Sequence, residues 1–472
     1  MTHKKHIEAF KALLGPKAVV TDKGTLAPHL EEWRGKFFGK TSLMLAPATV
    51  EELSEAVRYC LAHKIKIVPQ GGNTGLVGGS LPGLANHSEI LISSKRMARI
   101  LALDTDDMSI TAEAGCTVSA LQQAAAEKGL LFPLSLASEG SCTVGGILST
   151  NAGGVHVMRY GNTRALTLGL EAVLPSGEVF DGLKTLRKDN SGYALEQLLI
   201  GAEGTLGIIS KATFKLAPAE VQRSTMWLAV DEPKTAVALL NSARKATGER
   251  VSVFEILPHQ GLEFVLEYIE GTRNPLDSAA PWYVLMEVAS SATDPALEAT
   301  LETWLESELG AGRILDGALA ASTAQANAFW KLRESMSEAQ KHEGGSIKHD
   351  ISVPVSQIPA FIAETTPMLE KAFPGCRVTP FGHVGDGNLH YNVMQPQDGD
   401  KETFLAHWEA MNLMVHDQIV KYGGSISAEH GIGSLKKAEL ARTKPATELA
   451  AMRAIKKALD PEGIMNPNVL FE

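Results

Sequence analysis

Apolar positions recur with two periods along this chain, and the two periods mark out its elements. In ATVEELSEAVRYCLAH, residues 48–63, Val50, Leu53, Val57 and Leu61 fall on one face of a helix. The apolar run IKIVPQ follows and predicts a strand. SITAEAG predicts a second strand, and TVSALQQAAAEKG a helix stopped at Gly129. LGLEAVLPSGEVF predicts two strands joined at a Pro-Ser-Gly turn, and GTLGIISKATFKLAP one more strand closed by proline. Further on, TMWLAV and WYVLMEVA predict strands and Ala324–His342 a helix. The N-terminal MTHKKHIEAFKALLG lacks the uninterrupted apolar stretch and small-residue cleavage site of an export signal, and predicts a short amphipathic helix.

These patterns divide the chain into residues 1–218, a second domain at 219–425 in which helices mix with strands, and a C-terminal segment, 426–472, packing back on the first domain. A chain of 472 residues exceeds what one core usually supports. A net charge of -10 argues against a nucleic-acid footprint, which needs clustered Lys and Arg. Cys60, Cys116, Cys142 and Cys376 contain no CxxC pair, as expected of reduced thiols in a cytoplasmic protein. No segment approaches bilayer-spanning length, although peripheral membrane contact stays open.

Chemistry concentrates in five places. PQGGNTGLVGGS carries Gly71, Gly72, Gly75, Gly78 and Gly79 among Asn73, Thr74 and Ser80, a run whose backbone N–H groups can cradle an anion. Its spacing is neither GxGxxG nor GxxxxGK[ST], and taken alone it is equally compatible with an ordinary mobile loop. SEGSCTVGGILSTNAGGVHVMRYGNTR and GAEGTLGII repeat the same chemistry, so three segments feeding one domain suggest a large polyanionic cofactor. In GHVGDGNLH, His383 and His390 lie seven apart, and Gly-Asp-Gly must bend the chain for their rings to converge. With a carboxylate from SAEH they would form the His2Glu set of catalytic zinc, while a lone His pair is as often an ordinary polar feature. Arg333 and Ser337, four apart, share one face of the expected helix and could hold a carboxylate, though such an Arg is usually solvated.

PQGGNTGLVGGS, STNAGGVHVMRYG, GAEGTLGIISKATFKLAP, GHVGDGNLH, SAEHGIG and NPNVL, in this order, resemble the FAD-linked D-2-hydroxy-acid dehydrogenases of the vanillyl-alcohol-oxidase superfamily, a group that includes D-lactate, glycolate and D-2-hydroxyglutarate dehydrogenases. The resemblance implies an α+β fold: a two-subdomain FAD-binding domain of the p-cresol-methylhydroxylase type, with an α+β cap domain built on an antiparallel sheet. It transfers FAD contacts to Pro69, Gln70, Gly71, Gly72, Asn73, Thr74, Gly75 and Ser80, to Ser141, Gly145, Gly146, Asn151, Gly153 and Gly154, and to Glu203, Ile208 and Asn466. Asn73 stands where some relatives have a flavin-linking His, so the FAD is expected to be non-covalent. His383, His390 and Glu429 inherit a divalent metal, zinc by preference; Asp386 is the weaker ligand candidate and could equally serve to fix the turn. His430 is the expected base. Arg333, Ser337, Lys348 and Asn392 match the groups gripping a dicarboxylate, with Ser337 where the pattern shows Thr.

The implied reaction is oxidation of a small D-2-hydroxy acid, D-2-hydroxyglutarate by preference and D-lactate or glycolate as the alternative. With no iron–sulfur segment in the chain, electrons must leave to a separate carrier, an electron-transfer flavoprotein or a quinone. A homodimer is left open. A rival of another class, a metal-dependent hydrolase whose glycine loops bind no flavin, would lack the flavin absorption bands.

Overall fold

A computed structural model describes residues 3–84 and 89–471. The periodicity of residues 48–63 becomes the helix Val50–His63, opened by Thr49, whose hydroxyl accepts from Glu52 N, and closed by Lys64 in the left-handed region at φ 55°. Val50, Leu53, Val57 and Cys60 are its buried stripe. IKIVPQ narrows to the strand Ile67–Gln70, and TVSALQQAAAEKG to the helix Val118–Ala126, again capped by a threonine, Thr117. The Pro-Ser-Gly turn joins Thr167–Val173 to Val179–Gly182 as an antiparallel pair.

The chain forms two compact units, the first comprising residues 1–154, 160–219 and 429–472, the second residues 155–159 and 220–428. Among the described residues the first unit holds a four-stranded sheet and a five-stranded sheet. In the former, Ile67–Gln70 and Met44–Leu45 flank Ile90–Ser93, both parallel to it. The latter is antiparallel in the order Ile100–Asp104, Ser109–Glu113, Ile208–Lys215, Thr167–Val173, Val179–Gly182. Each sheet has its own hydrophobic cluster, one around Leu53, Val57 and Ile92 and the other around Leu121, Leu170 and Phe214.

The second unit is built on an antiparallel seven-stranded sheet in the order Asp316–Leu319, Gln222–Val230, Trp282–Ser290, Val251–Pro258, Arg377–His383, Asn388–Met394, Ser346–Ser352. Against one side pack Phe329, Leu332 and Met336, joined to Trp227, Leu285 and Phe381 of the sheet in one cluster. The helix expected over Ala324–His342 is shorter: Thr323–Glu334 stops at Ser335, and a single turn, Met336–Ala339, follows. Phe329, Leu332, Met336 and Ala339 stay in one core cluster across this break.

Residues 429–472 belong to the first unit and are stitched to it through polar groups. Met465 bridges in parallel to Ile67, adding a partner at the edge of the four-stranded sheet. The Asp460 carboxylate accepts from Ile464 N and Met465 N at 2.9 Å each and pairs with Lys456 Nζ at 2.6 Å. That ammonium also donates to the carbonyls of Thr205 and Met465, both at 2.7 Å. Glu203 accepts from Ile432 N and Gly433 N at 2.8 Å each. Asn466 Nδ2 donates to the carbonyls of Gly79 at 2.9 Å and Glu203 at 2.7 Å. All four cysteines are buried and free, and burial raises the thiol pKa of each. Among the described residues no helix is long and apolar enough to cross a membrane.

Because Asp460 is almost fully buried and holds both a cation and two backbone donors, Asp460→Ala removes the counter-charge of half-buried Lys456 and leaves Ile464 N and Met465 N without their acceptor. Loss of about 3–5 kcal/mol is expected, read as a lowered urea midpoint. Burial pushes the Glu203 carboxyl up from 4.5 to about 7, even though Ile432 N and Gly433 N pull it down. A raised carboxyl favours the folded state most below the unfolded pKa, and that contribution is lost as pH rises through 7. Urea midpoints of wild type should therefore fall between about pH 5 and pH 7.5 more steeply than those of Glu203→Gln.

Candidate functional site

The glycine-bearing segments of the first unit close on one cavity of about 660 Å³, within the range of about 300–1,000 Å³ usual for ligand sites. Its walls come from residues 69–77, 79–80, 136–138, 141–143, 145–147, 149–150, 152–153, 203–204 and 207–209, with Glu429 and His430 from the return segment. The loop after the strand Ile67–Gln70 supplies one wall, and the helix Val144–Thr150 with the turn before it supplies another. Gly72 is required where these two meet: a Cβ there would lie 1.9 Å from the carbonyl oxygen of Ser141.

This arrangement fits a large polar cofactor. The Thr143 hydroxyl is buried in the cavity wall without a hydrogen-bond partner among the described residues. A buried hydroxyl left unpaired carries a penalty that a polar ligand relieves. At Gly75 a Cβ would meet nothing within 4 Å, so the backbone there is open to close approach. Asn73 lies at φ 54°, its amide donating to the Glu31 carbonyl at 2.9 Å and its Oδ1 accepting from Ser80 Oγ at 3.1 Å. It therefore fixes the loop.

Of the residues expected at FAD, Pro69, Gln70, Gly71, Gly72, Asn73, Thr74, Gly75, Ser80, Ser141, Gly145, Gly146, Gly153, Glu203 and Ile208 line this cavity. Asn151, Gly154 and Asn466 are not among the lining residues. Asn151 ends the helix Val144–Thr150 at φ 51° and accepts from Arg164 N at 2.9 Å. Gly154 lets the backbone pass Ser135, whose carbonyl oxygen would lie 1.9 Å from a Cβ. Asn466 ties the tail to Gly79 and Glu203. All three act on the walls. Conversely, Trp33, Ser138 and Thr143 line the cavity without having been singled out. Trp33, together with Ile92, Ser94 and Met97, which also line the cavity, lies outside the glycine segments and gave no local sign.

The second unit gathers its candidate residues on one face of its sheet. Lys348 pairs with Asn392, which pairs in turn with Thr379; Asp350 pairs with His390, which pairs with Phe381; and His383 pairs with Glu255. Directly paired residues and those two apart share a face, so Lys348, Asn392, His390, His383, Asp350 and Glu255 all point the same way. The turn His383 to Asn388 accounts for the two histidines meeting. Gly387, at φ 90°, also passes Val353, whose carbonyl oxygen would lie 2.3 Å from a Cβ. Asp386 accepts from Asn388 N at 3.1 Å and so closes this turn. The imidazole centroids of His383 and His390 are 5.9 Å apart.

Glu255 is the residue the sequence reading passed over. It is fully buried in the strand Val251–Pro258, with one oxygen accepting from Arg333 Nε at 2.7 Å and the other hydrogen-bonded to His383 Nδ1. Burial works to raise its carboxyl, yet the Arg333 charge and His383 hold it down at about 2. Arg333 also stacks on Phe381, its Cζ 4.9 Å from the ring centre. Ser337, expected to share its face, is exposed where Arg333 is buried. Asn392 is buried and its Nδ2 donates to Gln340 Oε1 at 2.7 Å. Lys348 is half-buried.

Comparison with known proteins agrees with both units. Residues 41–182 match the FAD binding domain family, and residues 220–470 match the family FAD linked oxidases, C-terminal domain. A mitochondrial D-2-hydroxyglutarate dehydrogenase of Arabidopsis thaliana is 39% identical over 98% of this chain and 81% of its own. A D-2-hydroxyglutarate dehydrogenase of Xanthomonas citri pv. viticola is 38% identical over 96% of this chain and 94% of its own. Among solved structures, p-cresol methylhydroxylase with substrate bound aligns over 98% of this chain and 96% of its own at a TM-score of 0.74 and 17% identity, a likeness of fold alone. The chain belongs to the FAD-linked oxidases, and within them to the FAD-dependent hydroxy-acid dehydrogenases.

Proposed function

We propose that this protein oxidises D-2-hydroxyglutarate to 2-oxoglutarate. The observation that carries the choice of a dicarboxylate is the cross-strand pair Lys348 and Asn392, in the row beside Asp350 and His390 on the sheet face that also bears His383. A C5 dicarboxylate gives Lys348 and Arg333 a distal carboxylate to hold, which a monocarboxylate lacks. Relatives sharing 38–39% of this sequence and named for D-2-hydroxyglutarate support the same reading.

The roles divide as follows. Gly71, Gly72, Thr74, Gly75, Ser141 and Gly146 hold FAD through backbone amides and hydroxyls, without a covalent bond, since Asn73 offers an amide whose atoms already serve the loop. His383, His390 and Glu429 bind a divalent cation, zinc by preference for two imidazoles and a carboxylate. When bound, FAD supplies a two-electron acceptor and the cation a Lewis acid. His430, in the cavity wall, takes the proton of the substrate hydroxyl as a neutral imidazole. Arg333 and Lys348 orient the distal carboxylate, with Asn392 adding a neutral hydrogen bond, while Ser337, exposed beyond the helix break, takes no part. Electrons then pass to a separate carrier, an electron-transfer flavoprotein or a quinone.

Anaerobic mixing with D-2-hydroxyglutarate, D-malate and D-lactate, followed by flavin bleaching, tests the substrate. D-2-hydroxyglutarate should give the highest kcat/KM, and Lys348→Met should lower that value by roughly ten- to a hundredfold, about 1.5–3 kcal/mol, with little change for D-lactate. Preference for D-lactate unaltered by Lys348→Met would leave the dicarboxylate reading without support. His430→Asn should reduce kcat by about 10²–10⁴ with a small change in KM. An unchanged kcat would remove His430 as the base.

A further inference from the structure

Glu255 stands in the middle of VSVFEILP, a strand every residue of which is buried. A carboxylate in such a position costs several kcal/mol unless it is paired and hydrogen-bonded. It is engaged on both oxygens, by Arg333 Nε at 2.7 Å on one and His383 Nδ1 on the other. These are not two arbitrary neighbours. Arg333 lies on the helix Thr323–Glu334 and His383 ends the strand Arg377–His383, and each has a role in the proposed reaction.

We propose that Glu255 is a positioning residue that sets two groups of the site at once. By accepting from Nδ1 it fixes the His383 tautomer with the proton on Nδ1 and presents Nε2 as the metal-binding nitrogen. By accepting from Nε it locks the Arg333 guanidinium, whose Cζ lies over the Phe381 ring, leaving its terminal nitrogens for a carboxylate. The metal half rests on the reading of His383 as a ligand given above.

A ligating histidine whose other nitrogen donates to a carboxylate is better oriented and more basic, and loss of that partner typically costs ten- to a hundredfold in metal affinity. Glutamine at position 255 keeps the shape but can accept from one of the two donors only, since its amide nitrogen is itself a donor.

The test uses the flavin-loaded enzyme, stripped with a chelator and titrated with Zn²⁺ against a competing indicator. Glu255→Gln is expected to bind Zn²⁺ about 10–100-fold more weakly with unchanged flavin content. Its KM for D-2-hydroxyglutarate should rise more than its KM for D-lactate. Equal Zn²⁺ affinity and an equal rise for both acids would overturn the inference while leaving the metal reading intact. Wild type that takes up no Zn²⁺ would overturn the metal reading itself, and the metal half of the inference with it. Should Glu255→Gln fail to fold, the zinc-loaded wild type decides. Its ¹⁵N-histidine spectrum, with His383 assigned by its loss in His383→Gln, should show Nδ1 protonated. A proton on Nε2 would overturn the inference.

Discussion

A carboxylate taken out of water must be given donors, and each unit is organised around one that has been. In the first unit Glu203 is met by the amides of Ile432 and Gly433 and so fastens the return segment to the cofactor cavity. In the second, Glu255 is met by Arg333 and His383 and so joins a helix and a strand terminus on the working face of the sheet. The desolvation cost in each case is offset only if the donors stay where they are, which gives the surrounding elements little freedom.

The two carboxylates are treated differently by their surroundings. Glu203 has only neutral backbone donors and a more distant lysine, so burial dominates and its carboxyl rises to about 7. Glu255 faces a guanidinium and an imidazole, so charge overcomes burial and its carboxyl falls to about 2. The first can exchange a proton near neutrality, while the second is a fixed negative charge. That fixed charge partly neutralises Arg333.

Much of the site was legible because the chemistry sits in short, contiguous runs. Gly71, Gly72 and Gly75 announce a loop whose backbone must come close to something, and fourteen of the residues expected at the cofactor do line the cavity. The bend required between His383 and His390 could be deduced from strand parity alone. Asn151, Gly154 and Asn466 were harder, because a polar or flexible residue inside a binding motif looks the same whether it touches the ligand or braces the wall. Ser337 was misleading for a related reason: four residues on from Arg333 promises a shared face only while the helix is unbroken, and it stops at Ser335.

The order of strands and helices, the family to which the chain belongs and the kinds of side chain available for chemistry were set by sequence alone, since periodicity and motif spacing are local properties. Glu255 required the fold. Its sign in the sequence was one acid in a strand otherwise apolar except for Ser252, and nothing local connects position 255 with positions 333 and 383. Only the pairing of Val251–Pro258 with Arg377–His383, and the packing of the helix Thr323–Glu334 over them, brings the three together. Such contacts depend on strand register and helix docking, which are decided by burial across the whole sheet and not by any one segment.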